Sequence, residues 1–278
     1  SEFMLARGMK EQTTEIVRRM VWEHMVWGGY PAIVISEGAE DKAILLSDLR
    51  QTLLLRDIAQ VFSITDSRSL EDLSRYLARQ SGGLLSYESV GSQLDLSFPT
   101  LKKYLNAMEA AYLITRVKPF YTNKAKEIVK QPKIYFLDTG MRNATLGQFP
   151  KSVENDGRLF ENYILGELVK LDFELRHWRS RGNAEVDFVV QAADGSPIPI
   201  EVKMKAGPDQ IPTGLRAFIA EHRPKLAFVV CYDAEIGERE LDGTVIRYVD
   251  APGLVSQLEM FRPAAPKIYD VRGALNYK

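Results

Sequence analysis

The sequence offers almost no sulfur chemistry: 278 residues contain one cysteine, Cys231. A lone cysteine excludes an internal disulfide. Its setting in Ala227-Phe228-Val229-Val230-Cys231 marks a buried, inert thiol and not a nucleophile. Histidine is equally sparse. His24, His177 and His222 stand far apart, which leaves no zinc-ligand spacing and no local Cys/His pair. Long apolar runs are missing too: the longest, around Met25 to Ile35, is interrupted by Gly28, Gly29 and Pro31 and is too short to cross a bilayer. No membrane span is expected. The N-terminus lacks the continuous apolar segment of an export signal, and Ser1-Glu2-Phe3 ahead of Met4 reads as a cloning remnant, so a cytoplasmic protein is expected. Low-complexity tracts and internal repeats are absent as well.

What is present is an ordinary globular composition, 45% apolar and 26% charged, in a chain longer than one core usually holds. Two or three units are therefore expected. The net charge of −1 excludes a uniformly basic nucleic-acid binder but hides an uneven distribution. From Lys102 to Lys133 eight cations (Lys102, Lys103, Arg116, Lys118, Lys124, Lys126, Lys130, Lys133) stand against two acids, Glu109 and Glu127. A solvated charged face is the plain reading of such a stretch, and its structural context decides whether it is more.

Helical spacing comes first along the chain. Glu11 to Trp27 places Ile16, Met20, Glu23 or His24, and Trp27 at i, i+4 and i+7/8 steps, and Gly28-Gly29 stops it. Further helices are predicted over Ala39 to Phe62, where Leu45, Leu49, Leu53 and Ile58 recur, and over Ser69 to Arg79, opened by the Ser69-x-x-Asp72 capping signal. Tyr87 to Leu94, the turn Asp95-Leu96-Ser97, and Phe98 to Ala111 then form a helix-turn-helix pattern. Two strands follow, Tyr112 to Tyr121 and Lys133 to Asp138, around a basic tip at Asn123-Lys124-Ala125-Lys126. Three helices and a hairpin read as a winged helix, whose second helix enters the DNA major groove while the wing touches phosphates. Thr100, Lys102, Lys103 and Asn106 fall on the first turns of that helix, and Lys124, Lys126 and Lys130 on or beside the wing. DNA contact and a protein-interaction role both remain open.

The expected architecture is a multidomain α/β protein. It consists of a helical segment (residues 1–65), a winged helix (66–148) and, after the linker-like Gln148-Phe149-Pro150-Lys151-Ser152, an α/β domain (149–278) with a central mixed sheet. In this last part the predicted order is a helix from Gly157 to Leu171, strands over Phe173 to Trp178, Ala184 to Ala192 and Ile198 to Met204, a helix from Gln210 to His222, and a strand from Lys225 to Tyr232. A strand alternates faces, so Glu201 and Lys203 share one side and Val202 takes the other. A hairpin symmetric about Asp194 places Asp187 opposite Glu201. Two facing carboxylates repel unless a cation compensates, and Mg²⁺ or Mn²⁺ suits converging hard oxygens. Pro197 and Pro199 threaten that register with a slip of one residue.

The run Gly182-Asn183-Ala184-Glu185-Val186-Asp187-Phe188-Val189-Val190, with thirteen residues between Asp187 and the following Glu201-Val202-Lys203, resembles the restriction-endonuclease-like PD-(D/E)xK superfamily. Val186 stands where the motif has proline. More widely, the chain from about Met20 to Asp250 resembles the C-terminal half of an uncharacterised family of archaeal and bacterial AAA-type ATPases. That resemblance rests on Trp27-Gly28-Gly29-Tyr30-Pro31, Leu55-Arg56-Asp57-Ile58, Pro132-Lys133-Ile134-Tyr135-Phe136-Leu137-Asp138-Thr139-Gly140, Gly157-Arg158-Leu159-Phe160-Glu161-Asn162 and Ile200-Glu201-Val202-Lys203. It implies metal ligation by Asp187, Glu201 and Glu161, with Lys203 acting on the attacking water: a candidate Mg²⁺-dependent DNA endonuclease. The family's P-loop, Gly-x-x-x-x-Gly-Lys-Ser/Thr, is absent from this sequence, so no ATPase activity is expected from this chain alone. The same resemblance leaves room for a non-catalytic DNA- or protein-binding module that serves an ATPase domain.

Overall fold

The computed structural model describes residues 14–120, 131–152 and 156–262. The N-terminal part is helical: α1 (Thr14–Trp27), α2 (Pro31–Ile35) and α3 (Ala39–Gln51). A π-helical stretch, Thr52–Ile58, and a last turn, Ala59–Val61, continue α3 without a break. The buried stripe departs in part from the one that regular spacing assigns: Leu46, Leu54 and Ile58 are fully buried, whereas Leu45 is exposed. Past Gln51 the wider π turn shifts each later side chain around the axis.

Three more helices pack into one core, α4 (Ser67–Arg79), α5 (Tyr87–Leu94) and α6 (Phe98–Ala110). Asp66 caps α4, accepting the Ser69 N–H at 3.0 Å, so the helix opens ahead of the Ser69-x-x-Asp72 pattern. Ser86 and Ser97 cap α5 and α6, and Asp95 between them takes a left-handed φ of 52°, which makes the turn tight. Strands β1 (Ile114–Pro119) and β2 (Lys133–Phe136) follow and pair antiparallel.

Then come α7 (Thr139–Leu146), α8 (Gly157–Lys170), β3 (Arg176–Arg179), β4 (Glu185–Gln191), β5 (Pro197–Ala206), α9 (Thr213–His222), β6 (Leu226–Ala234), β7 (Gly237–Leu241), β8 (Thr244–Val249) and α10 (Ala251–Leu258). The strands form one eight-stranded mixed sheet of order β2-β1-β3-β4-β5-β6-β8-β7. The β1–β2 hairpin does not stand apart from the C-terminal part: β1 pairs parallel with β3 through Lys118↔Arg176 and Pro119↔His177. Helices cover both faces. Leu159, Phe160, Ile164 and Leu168 of α8 pack with Phe188, Ile200 and Phe228, and Leu215 and Ile219 of α9 pack with Val229 and Ile246.

The β4–β5 hairpin holds the symmetric register, with Phe188↔Ile200, Val189↔Pro199, Val190↔Ile198 and Gln191↔Pro197. The prolines cause no slip, because β5 begins to pair with β6 only at Ile200, so Pro197 and Pro199 need no N–H on that side. On its other edge β4 carries a bulge. Asp187 and Phe188 lie between the partners of Trp178 and Arg176, where the opposite strand has only His177.

Helix α7 is a plug under the end of α1. Thr139 Oγ1 donates to His24 O at 3.1 Å, and Asn143 Nδ2 donates to Met25 O at 3.1 Å and Val26 O at 2.9 Å, which satisfies carbonyls that a helix end otherwise leaves open. Asp138 completes the joint by accepting from Gly29 N and Met141 N, both at 2.8 Å. Gly28 has φ +75°, and a Cβ there would lie 2.2 Å from Asp138 Oδ1; a Cβ on Gly140 would lie 2.1 Å from Trp27 O. Gly140→Ala should therefore destabilise the protein by at least about 2 kcal/mol, the cost of forcing atoms into a filled contact between backbones. Denaturant unfolding checks this, and a loss under about 0.5 kcal/mol, the range of ordinary surface substitutions, would show that the joint yields.

Candidate functional site

Four elements bring charged side chains to one place: β2, the first turns of α8, the start of β4 and the middle of β5. Lys133 and Tyr135 alternate on β2 and so reach the same side. Asn162 fixes α8 against that strand by bonding Phe136 O at 2.6 Å and Phe136 N at 3.3 Å. This brings Glu161, its neighbour on α8, to β2, where it accepts from Lys133 Nζ at 3.0 Å and from the Tyr135 hydroxyl.

Asp187 lies at the β4 bulge, a device that re-aims a side chain. Its Oδ2 accepts the Val202 N–H at 2.9 Å, and its Oδ1 is 3.5 Å from Lys133 Nζ. Glu185 Oε1 approaches the same ammonium to 2.5 Å. Glu201 on β5 is 5% exposed; its Oε1 accepts from Lys203 Nζ at 2.6 Å, while its Oε2 is buried with no hydrogen-bond partner among the described residues.

All four predicted residues thus belong to one neighbourhood, arranged differently from a simple facing pair. Glu161 is committed to Lys133 and Tyr135, Asp187 mediates between Lys133 and β5, and Glu201 and Lys203 form the outer pair. Among the described residues no three His, Cys, Asp or Glu side chains are grouped as a metal site. Lys133, only 3% exposed, stands where Glu161, Glu185 and Asp187 would otherwise meet. It belongs to the basic stretch by sequence but not by position. The alternation of Lys133 with Tyr135 and of Glu185 with Asp187 is the signal that groups them.

The electrostatics follow from burial. Desolvation first, and then the charge of Asp187, push the Glu161 carboxyl up to about 7 and that of Glu201 up to about 8. For Lys133 burial works against the charge but is outweighed by Glu161, Asp187 and Glu185, so its pKa is raised. Lys203 is likewise raised, burial being outweighed chiefly by Glu201.

The DNA-facing candidates are spread along α6. Lys102 and Asn106 are exposed; Lys103 Nζ donates to Ser63 O at 3.0 Å, Thr100 Oγ1 lies 2.8 Å from Ser97 Oγ in the cap, and Asn106 Oδ1 accepts from Arg116 at 2.8 Å. Arg116 also binds Glu109 and Tyr87, so it faces inward. Lys124, Lys126 and Lys130 lie outside the described residues.

With the geometry in view, two family models match successive parts of the chain, both described as a domain of unknown function: DUF8612 over residues 18–152 and DUF4143 over residues 156–249. An uncharacterised protein of Mycobacterium tuberculosis is 29% identical over 187 residues, covering 65% of this chain and 42% of its own length. One of Haemophilus influenzae is 25% identical over 198 residues, covering 69% and 48%, and one of Methanocaldococcus jannaschii is 28% identical over 176 residues, covering 60% and 38%. The chain therefore spans less than half the length of these relatives. No solved structure matches it, and among the described residues no helix is long and apolar enough to cross a membrane.

A carboxyl whose folded pKa lies above its unfolded value binds more protons folded than unfolded, so its contribution is complete at low pH and is lost as pH rises through the folded value. For Glu201 this window runs from its ordinary 4.5 to about 8. Thermal stability in EDTA should therefore fall between about pH 5 and about pH 8.5, and Glu201→Gln should flatten that fall. An equal slope in the variant would place the proton uptake elsewhere.

Proposed function

We propose that this chain is a DNA-binding protein whose C-terminal part is a PD-(D/E)xK nuclease-like domain acting with Mg²⁺ or Mn²⁺. In this reading α4 to α6 and the β1–β2 hairpin are a winged helix that holds DNA. The observation that carries the proposal is Glu201 Oε2, buried and without a hydrogen-bond partner among the described residues, in a carboxyl on which the charge of Asp187 acts and which pairs with the more open Lys203, whose side chain is 43% exposed. An unsatisfied buried carboxylate oxygen is costly and asks for a cation or a proton.

The donor chemistry fits a hard divalent ion. Asp187 and Glu201 would hold it, and Glu161 would support them from its bonds to Lys133 and Tyr135. When bound, such an ion supplies a lowered pKa for a water and a counter-charge for phosphate oxygens. Lys203, with its raised pKa, remains an ammonium at neutral pH. Its part is therefore to orient water and offset phosphate charge, not to remove a proton. In this reading the chain is the C-terminal portion of an AAA-type ATPase, whose ATP hydrolysis would come from elsewhere; the resemblance of motifs supports it.

A second reading has its own support: Lys133 already neutralises much of the acidic cluster, which suits a non-catalytic DNA- or protein-binding module of the same ATPase. Cleavage of supercoiled, linear and branched DNA in Mg²⁺ and in Mn²⁺ separates the two. A nuclease should cut at least one substrate, and Lys203→Ala should slow it about 10² to 10³-fold, as for loss of one preorganised donor, with metal binding kept. Wild-type protein that melts normally and cuts nothing would leave the module.

DNA affinity provides an independent check. A lysine that neutralises one phosphate contributes about 0.9 to the steepness of log K against log salt. Replacing Lys102, Lys103, Lys124 and Lys126 with alanine should thus flatten the plot, and an unchanged slope would move the DNA surface off α6 and the hairpin.

A further inference from the structure

The ammonium of Lys133 lies 3.0 Å from Glu161 Oε1, 2.5 Å from Glu185 Oε1 and 3.5 Å from Asp187 Oδ1. The fold fixes its origin on both sides: Lys133 pairs with Val117 of β1, bridges to Leu84, and is followed by Ile134, whose N–H donates to Gly83 O at 3.1 Å. Its backbone therefore has little freedom to carry the ammonium away. Asp187 belongs to two neighbourhoods. Its Oδ1 faces Lys133, while its Oδ2 accepts the N–H of Val202, the neighbour of Glu201 on β5, at 2.9 Å, and its charge acts on Glu201.

A carboxylate shared between two cation positions is how paired metal ions are bridged, at separations of about 3.5–4 Å. We propose that Lys133 is a built-in second cation, which takes the place of one divalent ion between Glu161, Glu185 and Asp187 and leaves the protein a single metal position at Asp187 and Glu201. The oxygen distances around Nζ suit an ammonium and are wider than the ~2.1 Å that Mg²⁺ requires. Charge agrees as well. When all are ionised, four carboxylates against Lys133 and Lys203 leave two negative charges, which one divalent ion cancels.

The proposal rests on the reading of Asp187 and Glu201 as metal ligands, and counting ions separates the two ideas. Calorimetry with Mn²⁺ should give one ion for wild-type protein, two for Lys133→Met, one for Lys133→Arg and one for Lys133→Met/Glu185→Gln. In EDTA, Lys133→Met should melt about 5 °C or more below wild type, because three buried or half-buried carboxylates lose their partner, and saturating Mn²⁺ should restore most of that shift. Two ions in the wild type would overturn the proposal. So would one ion in both proteins, which would leave the Asp187–Glu201 position standing. No ion in the wild type but one in Lys133→Met would instead sink the Asp187–Glu201 position and uphold Lys133 as the substitute cation. A Lys133→Met protein that stays unfolded in saturating Mn²⁺ also counts against the proposal, since a divalent ion then cannot replace the ammonium.

Discussion

One buried positive charge governs how the elements around the site are arranged. The Lys133 ammonium is nearly excluded from solvent, and desolvating an ammonium costs several kcal/mol unless partners return that energy. Its partners come from two further elements: Glu161 from a helix, Glu185 and Asp187 from a strand elsewhere in the sheet. Any displacement of α8 or of β4 relative to β2 would leave that charge buried without compensation. Such clusters add little net stability, but they penalise wrong arrangements heavily. Lys133 therefore acts on specificity of assembly as much as on strength.

A second joint, made of backbone and not of charge, positions the same elements from the other end. Asp138 follows β2 by two residues, bonds Gly29 and caps α7, and α7 in turn closes the carbonyl end of α1. The close approach leaves no room for side chains at Gly28 or Gly140. Trp27-Gly28-Gly29 and Asp138-Thr139-Gly140, which look unrelated in the sequence, are the two halves of one contact. Glycine here serves approach and hydrogen bonding, with the left-handed φ of Gly28 as an added demand.

Much of this is legible from residue order. Helix α5 spans Tyr87–Leu94 as the spacing predicts, and the β4–β5 register follows from symmetry about Asp194. Those features are local, set by capping side chains and a turn. Other features stay hidden for physical reasons. The bulge at Asp187 is invisible in the residues of β4 alone, since two residues facing one is a property of its pairing with β3. The β1–β3 pairing joins positions far apart, and parallel pairing leaves no turn to announce it. By sequence Lys133 falls among exposed cations, because net charge along the chain says nothing of which side a strand residue takes. The β7–β8 hairpin and α10 lie past Tyr232, where the predicted strands end, although Asp242-Gly243, both with positive φ, is a turn signal of the familiar hairpin kind.

The parallel pairing of β1 with β3 also bears on how the protein can be made and handled. The two regions matched by family models, 18–152 and 156–249, invite separate expression, yet the sheet runs through both. A C-terminal piece produced alone would present the outer edge of β3 as a row of unpaired backbone donors and acceptors, next to carboxylates deprived of Lys133. Bare edges recruit other chains. Aggregation or fibre-like association of such a fragment would then report a missing strand neighbour, and not an intrinsic failure of the remaining domain to fold.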